Sequence, residues 1–271
     1  MDNETLRKLQ LVEIELLKDF DVFCKKYDLK YSIYSGTLLG AVRHGGFIPW
    51  DDDVDVFMER NEYERFLKLW RENPVEGYYL QGTDSPDYEF INFSKIRKCG
   101  TKFGTSLDVR LYGEENVGIY LDVFPFDKVP TDKKKRKKFL FKAKLRMVYT
   151  RGYPFTKGSA FLKLLSKILL IPSRKRQIKI RNKLEKQIID GCKDMTCGYE
   201  YMSLAASENF KTFYPAEVIE NLSTIKFEDE TFSAVKDYDK MLTIQYGDYM
   251  KLPPEDQQVC KHDPEVLDFG E

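Results

Sequence analysis

Residues 47–60 read FIPWDDDVDVFMER, four aspartates in five positions between apolar residues suited to a buried strand. Like charges this close repel, and a strand interior is an expensive place for a carboxylate. From Asp53 to Met58 carboxylate and apolar residues alternate with period two, which predicts a strand. On that reading Asp51, Asp53 and Asp55 share one face, and Asp52, Val54 and Val56 the other. Carboxylates at i and i+2 lie about 7 Å apart. Left bare, they raise each other's pKa. A divalent cation between them removes the penalty. Mg²⁺ suits such a place, because it takes one or two protein carboxylates and fills its shell with water and phosphate oxygens. Two plainer readings compete. One is a solvated acidic turn. The other is an EF-hand, since Asp51, Asp53, Asp55 and Glu62 fall at its ligand positions. Val56 stands where that loop needs glycine, so the EF-hand is rejected.

Working outward, SGTLLGAVRH (35–44) follows a short apolar run, YSIY (31–34). Ser35 and Gly36 there open a helix-forming stretch. A glycine at a helix start lets a phosphate approach the backbone, and the first-turn N–H groups favour its charge. Alone, the pair is a plain N-cap. With the aspartates downstream it forms a strand, a Ser-Gly turn, a helix and a returning strand, which sets a phosphate cradle beside a cation site. A further carboxylate, Asp122, lies in the apolar run GIYLDVFPFD (118–127). It is either satisfied by backbone hydrogen bonds or matched by a cation.

The rest of the chain frames these motifs. Leu6, Leu9, Val12, Leu16, Phe20 and Phe23 recur at three- and four-residue steps, predicting a helix over 4–27. Asn61 is read as the cap of a helix through EYERFLKLW, and 88–98, 105–110 and 118–127 as strands, the last ending at Pro125. Residues 132–190 read as basic helices broken at Gly152, Pro154 and Pro172. A strand pair follows around IKFEDETFSAV, then a helix through YDKMLTIQYG and the loop GDYMKLPPEDQQ. The expectation is an α/β fold with a mixed α+β sheet, a single domain over 1–271 carrying a basic helical insert at 131–190.

The chain has 271 residues, 42% hydrophobic and 14% aromatic, enough for a real core. Its polar N-terminus, MDNETLRKLQ, shows no signal peptide, and no run of about 18 apolar residues predicts a membrane span. Five scattered cysteines and two histidines read as reduced thiols rather than a zinc site. The net charge of zero hides a segregation. Residues 133–186 carry 20 Lys+Arg against 1 Asp+Glu, net +19, between acidic flanks of −8 and −11.

SGTLLGAVRHGGFIPWDDDVDV, together with GIYLDVFPFD and YGDYMKLPPE, strongly resembles the LicD family of phosphotransferases. These are bacterial phosphorylcholine transferases, and the fukutin-related ribitol-phosphate transferases are their relatives. The likeness runs from the first helix to the LPP loop. It implies a nucleotidyltransferase-like core, a CDP-linked alcohol donor such as CDP-choline, and a divalent metal, Mg²⁺ or Mn²⁺. It also implies a glycan hydroxyl as acceptor, on a cell-envelope polymer such as lipopolysaccharide or teichoic acid. Carried over by motif, Ser35 and Gly36 are the donor-phosphate turn, Asp53 and Asp55 the metal pair, and Asp122 the third carboxylate.

Within that frame Arg43 is a candidate for the donor phosphates, because its fork binds phosphate bidentately. His44 beside it, and Lys95 and Arg97 on a predicted strand, are further candidates for the donor. Asp122 is left as either metal ligand or base for the attacking hydroxyl. The basic block is read as a peripheral contact with an anionic membrane. FLKLLSKILLIPSRKR puts Phe161, Leu162, Leu165 and Leu169 on one side of a cationic helix. A lipid-linked acceptor would be found there, so the expected location is cytoplasmic, at the inner face of the plasma membrane. No RNA-binding motif accompanies the charge, and no nucleic acid is expected. The competing function is a nucleotidyltransferase acting on a small molecule or RNA.

Overall fold

The helix read over 4–27 is α1, Asn3–Lys26, in a computed structural model that describes residues 1–82, 92–156, 158–205 and 210–270. Asp2 caps it, its Oδ1 accepting from the Thr5 N–H at 2.8 Å. Leu6, Leu9, Leu16, Phe20 and Phe23 are all buried, as the period demands. Phe20 meets Phe66 edge-on at 5.6 Å, and Phe23 meets Trp70 at 4.7 Å. Burying each such ring contributes about 1.5–3 kcal/mol. These contacts fix α1 against α3, Arg60–Glu72.

The chain then runs through β1 (Ser32–Ile33), α2 (Ser35–His44), β2 (Asp55–Glu59), α3, β3 (Tyr78–Gln81), β4 (Ser94–Lys98), β5 (Lys102–Gly104), α4 (Ser106–Tyr112) and β6 (Tyr120–Pro130). Next come α5 (Lys133–Arg151), α6 (Ala160–Leu169) and α7 (Arg174–Ile189). The C-terminal third holds β7 (Tyr199–Ser203), β8 (Tyr214–Pro215), α8 (Ala216–Glu220), β9 (Leu222–Phe227), β10 (Glu230–Val235), α9 (Tyr238–Tyr246) and β11 (Val266–Asp268). The main sheet has the order β1-β2-β6-β4-β3, with β7 also on β6 and β8 on β7. Among the described residues only β2 and β6 pair in parallel; the other pairs are antiparallel, so the expected mixed α/β sheet is what forms.

Several boundaries differ from the sequence reading, each for a physical reason. The aspartate-rich strand starts at Asp55 rather than Asp53, so Asp51–Val54 are loop. Asn61 is no cap: α3 begins at Arg60 and Glu59, in the capping position, makes no side-chain cap bond. Residues 105–110 are mostly helix, not strand. Thr105 Oγ1 accepts from the Asp108 N–H while the Asp108 carboxylate accepts from the Thr105 N–H, and this capping box sets the start of α4. Of the predicted strand 88–98, residues 94–98 are β4; residues 88–91 lie outside the described residues. β6 passes through Pro125 to Pro130. Pro125 falls between the last residue paired with β4, Val123, and the first paired with β7, Phe126. There that edge has no antiparallel ladder to interrupt.

The basic helices lie between β6 and β7. α5 ends at Gly152, whose φ of +70° is open to glycine. α5 turns straight back from β6, and α7 packs along it. A small separate core of Val129, Phe139, Ala143, Ile188 and Met202 joins them to the sheet. Two ion pairs brace this region, the first buried and the second between a buried arginine and a half-buried glutamate. Arg60 donates from Nε and Nη2 to the two oxygens of Asp127, both at 2.7 Å. Arg146 donates to Glu185 at 3.1 Å.

Candidate active site

The sheet register builds the site. Asp55 on β2 is paired with Asp122 on β6, and Asp122 with Lys95 on β4. Strands lie about 4.8 Å apart, and side chains in register leave the same face. Two carboxylates and an ammonium therefore stand abreast, all buried. Lys95 Nζ donates to Asp122 Oδ1 at 2.6 Å and sits 3.3 Å from the centre of the Tyr120 ring. Burial pushes Lys95 down from the usual lysine range and Asp122 up from the usual carboxylate range, each opposed by the other's charge. Burial, followed by the charges of Asp53 and Asp122, pushes Asp55 well up. Asp53 is raised too, again by burial first.

Helix α2 holds this row from one side. The Asp55 N–H donates to Thr37 Oγ1 in its first turn at 2.8 Å, and the Tyr34 N–H donates to the Asp55 carbonyl at 2.9 Å. Ser35 begins the helix with φ +52°, a left-handed conformation that costs a serine about 1–3 kcal/mol. Its hydroxyl is hydrogen-bonded to the Tyr246 hydroxyl at 3.0 Å and accepts from Gln245 Nε2 at 3.3 Å, so α9 pins the strained turn. Gly36 is required for a reason absent from the sequence reading. A Cβ there would stand 2.3 Å from Asp51 Oδ2. The residue lets a carboxylate reach the backbone at the helix start, where the dipole favours negative charge. Asp51 is pushed up to about 7 by burial and then by the charge of Asp53.

The other sequence candidates are accounted for as follows. Arg43 Nη1 donates to the carbonyls of Tyr249 at 2.8 Å and Lys251 at 3.5 Å, holding the loop after α9. His44 stands edge-on to Trp50 at 6.3 Å, and burial lowers its pKa. Arg97 is buried and donates to Gln81 and the Gly118 carbonyl, so its fork is directed into the fold. The structure thus brings together Ser35, Gly36, Asp55, Asp122 and Lys95, and sets Arg43 against carbonyls.

Three features escaped the sequence reading. Asp52 is fully buried and accepts from the His262 N–H at 3.0 Å, with His262 Nδ1 also 3.0 Å away. The C-terminal tail is thereby clamped to the aspartate loop, and β11 pairs with β5 beyond it. Glu13 is fully buried, and among the described residues neither of its oxygens has a partner. Burial and then Asp53, Asp52, Asp51 and Asp55 push its pKa well up. Its signal was present, since it falls four residues after Leu9 on the apolar stripe of α1. Gln10, three residues earlier, donates to the Asp51 carbonyl at 2.9 Å. The third is a pocket of about 230 Å³ that opens on Ser35 and Asp55.

The donor set suits a hard cation. Asp51 Oδ2 and Asp55 Oδ1 are buried oxygens without a hydrogen-bond partner among the described residues. Among those residues no three or more aspartate, glutamate, histidine or cysteine side chains are placed to hold a metal ion together. One or two such carboxylates are what an ion that fills its shell with waters and phosphate oxygens takes from a protein.

Residues 28–158, which carry α2, β2, β4 and β6, match the family model "LicD/FKTN/FKRP, nucleotidyltransferase domain". The chain is 32% identical over 274 residues, 97% of each protein, to the lipopolysaccharide cholinephosphotransferase LicD of Haemophilus influenzae. An uncharacterized protein of Rickettsia typhi is 40% identical over 117 residues, 42% of this chain and 33% of that one. One of Rickettsia prowazekii is 32% identical over 117 residues, 43% and 39%. A match of this length, with the carboxylate row falling inside the matched domain, means that the chain belongs to the LicD family.

Proposed function

We propose that the protein is a transferase that moves phosphocholine from CDP-choline, or a related phospho-alcohol from its CDP derivative, to a hydroxyl of a cell-envelope glycan. The observation that carries this reading is the in-register row Asp55–Asp122–Lys95 beside the α2 N-terminus, in a chain that matches a cholinephosphotransferase end to end. The donor pyrophosphate lies between α2 and the row. The acceptor hydroxyl attacks the phosphorus bearing choline, the bond from that phosphorus to the bridging oxygen breaks, and CMP leaves with the oxygen. The proton of the hydroxyl passes to the Asp122 carboxylate, whose charge Lys95 Nζ balances at 2.6 Å. Asp53 and Asp55 would hold Mg²⁺ or Mn²⁺, which would supply charge stabilisation at the attacking and leaving oxygens. The test is incubation with CDP-choline, CDP-ethanolamine and Mg²⁺. CMP release that stops with chelator supports the proposal. Transfer of the nucleotidyl group, with phosphocholine released, would establish the nucleotidyltransferase alternative.

The acceptor is met at an anionic membrane, from the cytoplasmic side. No helix of the described residues is long and apolar enough to cross a bilayer. α6 supports it. Ser166 is its one buried residue, whereas Phe161, Leu164, Ile168 and the following Ile171 are 71%, 58%, 52% and 78% exposed. Of the face read in the sequence, Phe161, Leu162 and Leu165 are exposed and Leu169 is half-buried. α5 runs back along β6, and Thr150 near its end donates to Asn92 at 3.2 Å, three residues before Lys95. Each Lys or Arg near an anionic surface contributes about 1 kcal/mol, screened beyond about 10 Å at 0.1 M salt. Sedimentation with phosphatidylglycerol vesicles should fall with salt. It should also fall in Leu164→Ser/Ile168→Ser with no change in melting temperature. Unchanged vesicle binding with a lowered melting temperature, or preference for RNA, would end the membrane reading.

A further inference from the structure

The loop that carries the aspartates is anchored along its length. At its start the Asp51 carbonyl accepts from Gln10 Nε2 at 2.9 Å, and at its end the Val54 carbonyl accepts from the Asp122 N–H at 2.9 Å. Between these anchors the hold is Asp52. Its side chain is fully buried, and both its oxygens meet one residue of the C-terminal tail: Oδ2 accepts from the His262 N–H at 3.0 Å, and Oδ1 lies 3.0 Å from His262 Nδ1.

His262 is itself fixed. Its ring stands edge-on to Phe103 at 6.1 Å and to Tyr120 at 6.3 Å, with Nε2 3.5 Å from the Tyr120 hydroxyl. Tyr120 is the residue whose ring seats Lys95 Nζ. The tail beyond His262 is secured independently of that ring. The Glu265 N–H donates to the Gly104 carbonyl at 2.8 Å, β11 pairs with β5, and Lys8 Nζ on α1 lies 4.4 Å from the centre of the Phe269 ring.

Asp51, Asp53 and Asp55 repel one another, and a loop free to move would splay to separate them. A hydrogen bond to an ionised carboxylate is about twice as strong as a neutral one and fixes direction as well. Holding Asp52 holds the backbone from which Asp53 projects. We infer that His262 is a positioning residue, which acts through Asp52 to set Asp53 beside Asp55 for the divalent ion. The inference rests on the divalent ion of the proposed function and extends that site to the C-terminal tail, through a residue that does not itself bind the ion.

The test is Mn²⁺ binding to the full chain without donor, followed by the paramagnetic resonance signal of the free ion. His262→Leu removes the ring nitrogens but keeps an apolar side chain between Phe103 and Tyr120. His262→Asn keeps an amide nitrogen near the place of Nδ1. His262→Leu should bind Mn²⁺ about 10–100-fold more weakly, the usual loss when a group that orients a metal site is removed. His262→Asn should recover most of that loss. The Mg²⁺ needed for half-maximal CMP release should rise in His262→Leu by the same factor. Wild-type Mn²⁺ affinity in His262→Leu overturns the inference, even if the variant melts below the wild type in chelator. Equal losses in both variants overturn it too, because the cause would then be the packing of the ring rather than its nitrogen. Should His262→Leu not fold, His262→Ala is titrated with and without imidazole in the medium. Recovery of Mn²⁺ affinity with imidazole supports the inference, and no recovery overturns it. A wild type that binds no Mn²⁺ would refute the divalent ion itself, and the positioning role with it.

Discussion

Asp55→Asn should release CMP from CDP-choline about 10²–10³-fold more slowly than the wild type, the usual loss when one preorganised charge is removed from a phosphoryl or acyl transfer site. In chelator the same variant should melt no lower than the wild type. Asp55 is buried, and among the described residues its Oδ1 has no partner. Its neighbours in the row and the loop, Asp122 and Asp53, are like charges that raise its pKa after burial does. An amide of the same shape relieves that repulsion and can donate to a neighbouring carboxylate. The pH dependence follows from the direction of these shifts. Asp51, Asp53, Asp55 and Asp122 all hold their protons more tightly folded than unfolded, Asp51 up to about 7 against 3.8. Their contribution is complete below the unfolded value and is lost as pH rises through the folded ones. The advantage of Asp55→Asn in metal-free melts should therefore be largest near pH 8 and close toward pH 4. Full turnover by the variant would remove Asp55 from the chemistry. A melting temperature well below wild type at pH 8 would make the carboxylate structural.

The largest loss of stability is expected from Arg60→Met. Both partners of the Arg60–Asp127 pair are buried and joined by two 2.7 Å hydrogen bonds. Truncating the arginine leaves a carboxylate in the core without its cation, a loss of about 3–5 kcal/mol. At about 2–4 °C per kcal/mol for a chain of this order, the melting temperature should drop by roughly 10 °C. Arg60→Met/Asp127→Leu should recover most of it, because a buried pair replaced whole by apolar side chains is near neutral. The surface Lys102–Glu114 pair, at 2.7 Å, makes the control; Lys102→Met should leave the melting temperature close to that of the wild type. Turnover per folded molecule should persist in Arg60→Met, because Asp127 lies five residues along β6 from Asp122, toward the other end of the sheet. A loss no larger than in the Lys102 control would show that water reaches Asp127.

Much of the architecture is legible locally. α1 follows from a stripe of large apolar residues at helical spacing, and the basic helices break where Gly152 and Pro172 force them to. The β9–β10 hairpin and α9 also follow from local pattern. The aspartates and the Ser-Gly turn announce a charged site, because four carboxylates among apolar residues have few other uses. The errors are local as well. Residues 105–110 look like a strand until Thr105 and Asp108 are seen as reciprocal caps, and Pro125 ends a strand only if a neighbour needs its N–H.

The register of β2, β6 and β4 was decided by the tertiary structure. Nothing in the sequence sets Asp55, Asp122 and Lys95 abreast, since 67 residues separate Asp55 from Asp122 along the chain and the pairing is fixed by which faces of three strands bury together. The same holds for Gly36, whose missing Cβ admits a carboxylate 15 residues away, and for Asp52, which binds a tail histidine 210 residues on. The pocket beside Asp55 draws Tyr34, Phe124 and Tyr214 from three separate stretches. Sequence pattern reports the period and charge of each segment, which are properties of neighbours in the chain. The site is made of distances across the sheet, and these exist only once the core has closed.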